Sequence, residues 1–152
     1  LKNKNINSVL IDELNIRTEA TLTARTLVNE PVNFMNAPRL AKEIEILGMD
    51  AGAKVETLGK SKIEALKMGG LLAVNKGSID PPSFSIFEWK PENAINKKPF
   101  IFVGKGVVYD TGGLNIKTAT YMNDMKCDMG GAAAVIGGVF SIAKAKIKPL
   151  RF

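Results

Sequence analysis

The stretch VGKGVVYDTGGLNIKTATYMNDMKCDMGGAAAVIG, residues 103–137, decides the fold. It opens on an apolar run broken by Gly104-Lys105-Gly106. The run resumes through Val107, Val108 and Tyr109 and stops at Asp110, ahead of Thr111-Gly112-Gly113. Charged residues beside glycines at the ends of apolar runs read as strand ends at a sheet's edge, where open α/β sheets bind ligands. Glycine lets the backbone approach an ion or a substrate closely. A Gly-rich irregular stretch is expected from Thr111 to Cys127. The segment DMGGAAAVIGGVFSIAKAK (128–146) then reads as a helix of small residues with Asp128 at the N-cap.

Working outward toward the N-terminus, helices and strands alternate. Ile16, Ala20, Ala24, Leu27 and Val28 recur at helical spacing between Asp12 and Asn29, and Pro31 ends that helix. Asn36 and Pro38 mark the start of a second helix, with Leu40, Ile44 and Leu47 on one face and an end near Gly48. AKVETLG (53–59) reads as a strand. KSKIEALKM (60–68) reads as a helix closed by Gly69-Gly70. LLAVNKG (71–77) reads as a strand followed by a Pro-containing turn, and SFSIFEWK (83–90) as another strand. PENAINKK (91–98) is a polar connection, and the end, IKPLRF, reads as the start of a strand. The alternation defines an α/β class.

Composition narrows the chemistry. The chain has 152 residues, 45% of them hydrophobic, enough for one domain with a core. One cysteine, Cys127, excludes an internal disulfide and fits a reducing cytoplasm. No apolar run approaches the roughly 20 residues that span a bilayer, and the first ten residues lack the apolar stretch of a signal peptide. The net charge of +6 comes from lysines scattered along the chain, not from a basic block interleaved with aromatics. A solvated surface is therefore the expected reading, ahead of a nucleic-acid patch. The chain contains no histidine. A Ser-His-Asp triad, a Cys-His pair and a His-ligated zinc site are thus excluded within these residues. Any metal site must use carboxylates, backbone carbonyls or a neutral lysine.

Taken singly, the polar residues of 103–131 have ordinary explanations. Asp128 is a helix cap, Asp110 a turn former, and Lys105 and Lys117 solvated charges. Gly104-Lys105-Gly106 lacks the spacing of a phosphate loop and of a dinucleotide fingerprint. Cys127 has no histidine to activate it.

Taken together, they are specific. The pattern Lys-x4-Asp-x-Gly-Gly-x3-Lys-x10-Asp-Met-x-Gly-Ala, with NEPVNFMNAPRLAKEI (29–44) and MGGLLAVNKGSIDPPSFSIFEW (68–89), resembles the leucyl (cytosol) aminopeptidases, the M17 family of two-metal exopeptidases. The resemblance covers nearly the whole chain. It implies an α/β catalytic domain with a mixed sheet flanked by helices. Residues 1–30 would be a linker and leading helix, and residues 31–152 the N-terminal part of the catalytic domain.

By position, the resemblance implies that Lys105, Asp110 and Asp128 are metal ligands, Asp110 bridging two ions and Asp128 sharing an ion with Lys105. Lys117 would be the catalytic electrophile that contacts the substrate and steadies the oxyanion. Met125 would line the pocket for a Leu-like N-terminal residue. The cofactors implied are two divalent ions, Zn²⁺ or Mn²⁺ first, with Mg²⁺ or Co²⁺ also compatible. Peptide substrates, a cytoplasmic location and a homo-hexamer follow from the same resemblance. The family's Asn-Thr-Asp-Ala-Glu-Gly-Arg segment, which completes the site, is not found in this sequence, nor is its N-terminal domain. Residues 1–152 alone are therefore expected to be inactive. The alternative is a non-catalytic α/β module that assembles with partner subunits.

Overall fold

The computed structural model describes residues 7–147 and 150–152. The first helix, α1 (Ser8–Asn29), starts four residues before the expected Asp12, because the Asn7 side chain accepts from the Val9 N–H at 3.1 Å and caps it. Helix α2 (Ala37–Ala51) is capped by the Asn36 side chain, which accepts from Arg39 N at 3.0 Å. It runs past Gly48, and Gly52 ends it in a left-handed conformation. Strand β1 (Lys54–Leu58), helix α3 (Lys60–Ala65) and helix α4 (Gly69–Asn75) follow. Strand β2 (Phe84–Glu88) pairs antiparallel with β1, Lys54 opposite Glu88 and Leu58 opposite Phe84. Short helix α5 (Ala119–Met122), a 3₁₀ helix (Asn123–Met129) and helix α6 (Gly130–Lys144) complete the order.

Four expectations need correction. Residues 71–77 are not a strand: Gly69–Asn75 is helical. Leu-Leu-Ala favours a helix as readily as a strand, and an apolar run this short does not discriminate by periodicity. Residues 99–110 are irregular, with a bend at Val108, and join no ladder among the described residues. The sheet there is the two-stranded antiparallel pair of β1 and β2, not a mixed sheet. Asp128 is not a cap. It lies inside the 3₁₀ helix, and α6 begins after Met129 with no side-chain cap. Of the expected C-terminal strand, Lys148 and Pro149 lie outside the described residues. Phe152 exchanges both backbone hydrogen bonds with Trp89, at 3.0 and 2.9 Å, and Arg151 O accepts from Phe100 N at 3.1 Å.

The core forms where α6 lies against α1 and α2. Leu27, Met35, Leu40, Ile44, Met129, Ala132, Ala133 and Ile136 make one buried cluster. Ala20, Ala51, Phe140 and Ala143 make a second. Phe140 is fully buried, and a side chain of that size contributes roughly 1.5–3 kcal/mol by leaving water. The continuous helical run Ala119–Lys144 is 26 residues, long and apolar enough by those measures to cross a membrane. Its buried face, however, is spent on α1 and α2, as in the core helix of a globular domain.

Lys144 ties the three helices together. Its Nζ donates to Glu19 Oε1 of α1 at 3.1 Å and to Asp50 Oδ2 of α2 at 2.5 Å. The bond to Asp50 is the larger cause of a raised Lys144 pKa, which burial partly opposes and Glu19 reinforces. A raised pKa means that stabilisation is complete below the unfolded value of 10.5 and lost as pH rises through the folded value. Lys144→Met is expected to cost about 1 kcal/mol near neutral pH, the upper range for a solvated pair. Melting curves of variant and wild type should converge at pH well above 10.5.

Candidate metal centre

The site is built on the contact between the irregular segment 103–110 and the start of α6. Ala132 N donates to Lys105 O at 2.9 Å, so the two backbones touch. A Cβ on Gly104 would lie 2.6 Å from Ala132 Cα and 3.0 Å from Gly131 O, both backbone atoms that cannot yield. Glycine at 104 is what brings Lys105 to the helix that follows Asp128.

Lys105 Nζ donates to Asp128 Oδ1 at 2.7 Å. Asp128 raises the Lys105 pKa, first by that hydrogen bond, and Asp110 adds a smaller electrostatic contribution from nearby. Asp110 Oδ1 accepts from Gly112 N at 2.8 Å, and Lys117 Nζ stands 3.5 Å from Asp110 Oδ2. These hold the Asp110 carboxyl below its ordinary range, the Gly112 N–H contributing most. Gly112 makes the turn possible. Its φ is +89°, and a Cβ there would meet Asn115 O at 2.3 Å. The turn returns Lys117, whose N–H reaches Thr111 O at 2.9 Å, to the side of Asp110.

Between Asn123 and Met129 the chain winds with three residues per turn, so residues three apart eclipse. Met125 and Asp128 therefore share one face, Lys126 and Met129 a second, and Asp124 and Cys127 a third. Asp124 and Cys127 are exposed, Met125, Lys126 and Asp128 half-buried, and Met129 1% exposed. Tyr109 Oη closes the arrangement by donating to Met122 O at 2.9 Å.

The four charged residues singled out in the sequence thus come together in two ion pairs, and Met125 lies on the Asp128 face of the 3₁₀ helix. Tyr109 and Gly104 hold this arrangement and were not singled out. Gly104 had a signal in its Gly-Lys-Gly setting. Tyr109 had none, because its partner is a backbone carbonyl around a loop.

The residues fit a metal. Asp128 Oδ2 is buried without a hydrogen-bond partner, a costly state for a carboxylate oxygen and one that a cation relieves. Two carboxylates and an amine are oxygen and nitrogen donors suited to Zn²⁺ or Mn²⁺. Lys105 ligates only after losing its proton. Among the described residues no cluster of three or more His, Cys, Asp or Glu adds to them. A concavity of about 720 Å³ lies between α1 and α2 beside Leu22, Phe34 and Leu47 and includes none of these residues.

The chain has counterparts among known proteins. Residues 22–151 match the catalytic domain of the cytosol aminopeptidase family, M17. The probable cytosol aminopeptidase of Chloroherpeton thalassium is 50% identical over 123 residues, which is 81% of this chain and 24% of that protein. Its counterpart in Brucella melitensis is 48% identical over 130 residues, 86% of this chain and 26% of that protein. The structure of Caenorhabditis elegans leucine aminopeptidase superposes with a TM-score of 0.85 at 31% identity, covering 92% of this chain and 28% of that one. The bottromycin maturation enzyme BotP, solved in complex with Mn, gives 0.82 at 34% identity, over 93% of this chain and 30% of that one. The chain belongs to the cytosol aminopeptidase family and carries part of its catalytic domain. It spans about a quarter of the length of the curated relatives it matches.

Proposed function

We propose that this chain is the part of a metal-dependent aminopeptidase that supplies Lys105, Asp110 and Asp128 to a pair of divalent ions, Zn²⁺ or Mn²⁺ first, with Mg²⁺ or Co²⁺ also compatible. The observation that carries the reading is the buried, unpartnered Asp128 Oδ2 beside Lys105, in a chain of this family. The Mn complex of BotP supports a divalent ion. When bound, the ions supply Lewis acidity and a nucleophilic water. Asp128 faces the substrate's free α-amine with its negative charge. Lys117, held beside Asp110, presents an ammonium to the oxyanion that develops at the first peptide carbonyl. Met125, eclipsing Asp128, offers an apolar wall to the N-terminal side chain, which favours Leu-like residues.

Residues 1–30 act in this reading as the leading segment, and 31–152 as the front of the catalytic domain. Peptides are the substrates, the cytoplasm is the location, in keeping with the relatives' names, and a homo-hexamer is the assembly. Two carboxylates and one lysine are too few donors for two ions. Activity therefore belongs to the full gene product, and residues 1–152 alone are expected to show little or none.

The test is hydrolysis of Leu-p-nitroanilide by the full gene product with added Mn²⁺ or Zn²⁺. Turnover that a chelator removes and Asp110→Ala abolishes is expected. Retained turnover in Asp110→Ala contradicts the assignment, and an inert gene product returns the chain to a non-catalytic module.

A further inference from the structure

The last turn of α1 carries no basic residue of its own, although its terminal carbonyls concentrate the negative end of the helix dipole. A lysine 97 residues further on supplies the charge: Lys126 Nζ donates to Asn29 O, the last residue of α1, at 2.7 Å. Lys126 shares the second face of the 3₁₀ helix with Met129, which is buried in the cluster that includes Leu27 of α1 and Met35. One face of this short helix is thus fixed to α1 by a charged hydrogen bond and by packing. The neighbouring face presents Met125 and Asp128.

Asp128 lies between the two anchors in sequence, two residues after Lys126 and one before Met129. On its other sides the seven-residue turn is held by Tyr109 Oη at Met122 O, just before it, and by Lys105 Nζ at Asp128 Oδ1. A 3₁₀ helix that relaxed toward α-helical winding would no longer eclipse Met125 with Asp128. The Lys126 bond to Asn29 O is the restraint on the α1 side that opposes such a change.

We propose that Lys126 is a positioning residue of the metal centre: by holding the end of α1, it fixes the winding that directs Asp128 toward Lys105 and aligns Met125 with it. The inference rests on the aminopeptidase reading above. Lys126 contacts neither metal nor substrate and acts through Asp128.

The experiment uses the full gene product carrying Lys126→Met, which keeps the apolar stem and removes the charge, alongside Lys126→Arg. Mn²⁺ affinity is measured by titration calorimetry, kcat and KM with Leu-p-nitroanilide, and the melting temperature in parallel. Lys126→Met is expected to weaken Mn²⁺ binding about ten- to hundredfold, the range for residues that orient metal ligands, and to lower kcat/KM by a similar factor. Its melting temperature is expected to stay close to wild type. Lys126→Arg, which keeps the charged donor, is expected to recover most of both losses. Wild-type Mn²⁺ affinity in Lys126→Met overturns the proposal, and so does a loss that Lys126→Arg does not repair. If neither Lys126→Met nor Lys126→Ala folds, Lys126 holds the fold rather than the site, and the proposal falls. A wild-type gene product that neither binds Mn²⁺ nor turns over substrate overturns the aminopeptidase reading itself. Normal wild-type behaviour with an unaffected Lys126→Met removes only the role of Lys126.

Discussion

Gly104→Ala is expected to disable the centre without altering any side chain in it. The new Cβ would fall 2.6 Å from Ala132 Cα and 3.0 Å from both Ala132 N and Gly131 O. None of these is the far end of a flexible side chain, so segment 103–110 or α6 must move. Movement strains or breaks the bond from Ala132 N to Lys105 O and carries Lys105 away from Asp128. Overpacking of this kind costs about 1–3 kcal/mol in stability. Displacing catalytic groups by about 1 Å costs on the order of a hundredfold in rate. Melting temperature and kcat/KM for Leu-p-nitroanilide, measured on the full gene product, are the checks. A variant with wild-type kcat/KM would mean that the backbone contact at residue 104 does not set the site.

Asp128→Asn is expected to separate function from stability. The substitution preserves shape and leaves an oxygen able to accept from Lys105. It removes the negative charge and places an amide where the carboxylate now has a buried, unpartnered oxygen. If Asp128 were chiefly structural, loss of its ion pair with Lys105 would appear in the melting temperature. Lys105 is more than half exposed, however, and exposed pairs contribute little to stability. Activity is therefore expected to fall at least a hundredfold, as for loss of a group that stabilises charge in the transition state. The melting temperature is expected to change little, because an acid retained with an unmet oxygen serves function at some cost to stability.

How far these features were legible in the sequence differs between elements. Helices α1 and α2 were readable because the apolar period, the Asn36 cap and Pro38 all agree. Strands β1 and β2 were readable from short apolar alternation between turn residues, and the structure pairs them in register. The run 69–75 misleads because Leu and Ala serve helix and strand alike. Asp128 misleads in another way. An aspartate before a glycine-rich helix has the chemistry of a cap, but the preceding turns are already helical, so the first N–H groups of α6 need no cap from it.

The site itself was legible as a pattern and not as geometry. Lys105, Asp110, Lys117 and Asp128 were found by spacing and resemblance, and the structure pairs Lys105 with Asp128 and Lys117 with Asp110. The pairing follows from two backbone facts that residue types alone do not reveal. One is the close approach of residue 104 to α6. The other is the 3₁₀ winding of Asn123–Met129. Lys126 was invisible for the same reason: its partner is a carbonyl at the end of a helix 97 residues earlier.

The central claim is that Lys105, Asp110 and Asp128 face a divalent ion. The most direct measurement is Mn²⁺ titration of the full gene product and of its Asp128→Asn variant by calorimetry, with melting temperatures recorded alongside. Saturable binding by the wild type, weakened at least about tenfold in the variant at an unchanged melting temperature, is the expected result. Equal Mn²⁺ affinity in the two proteins would contradict it.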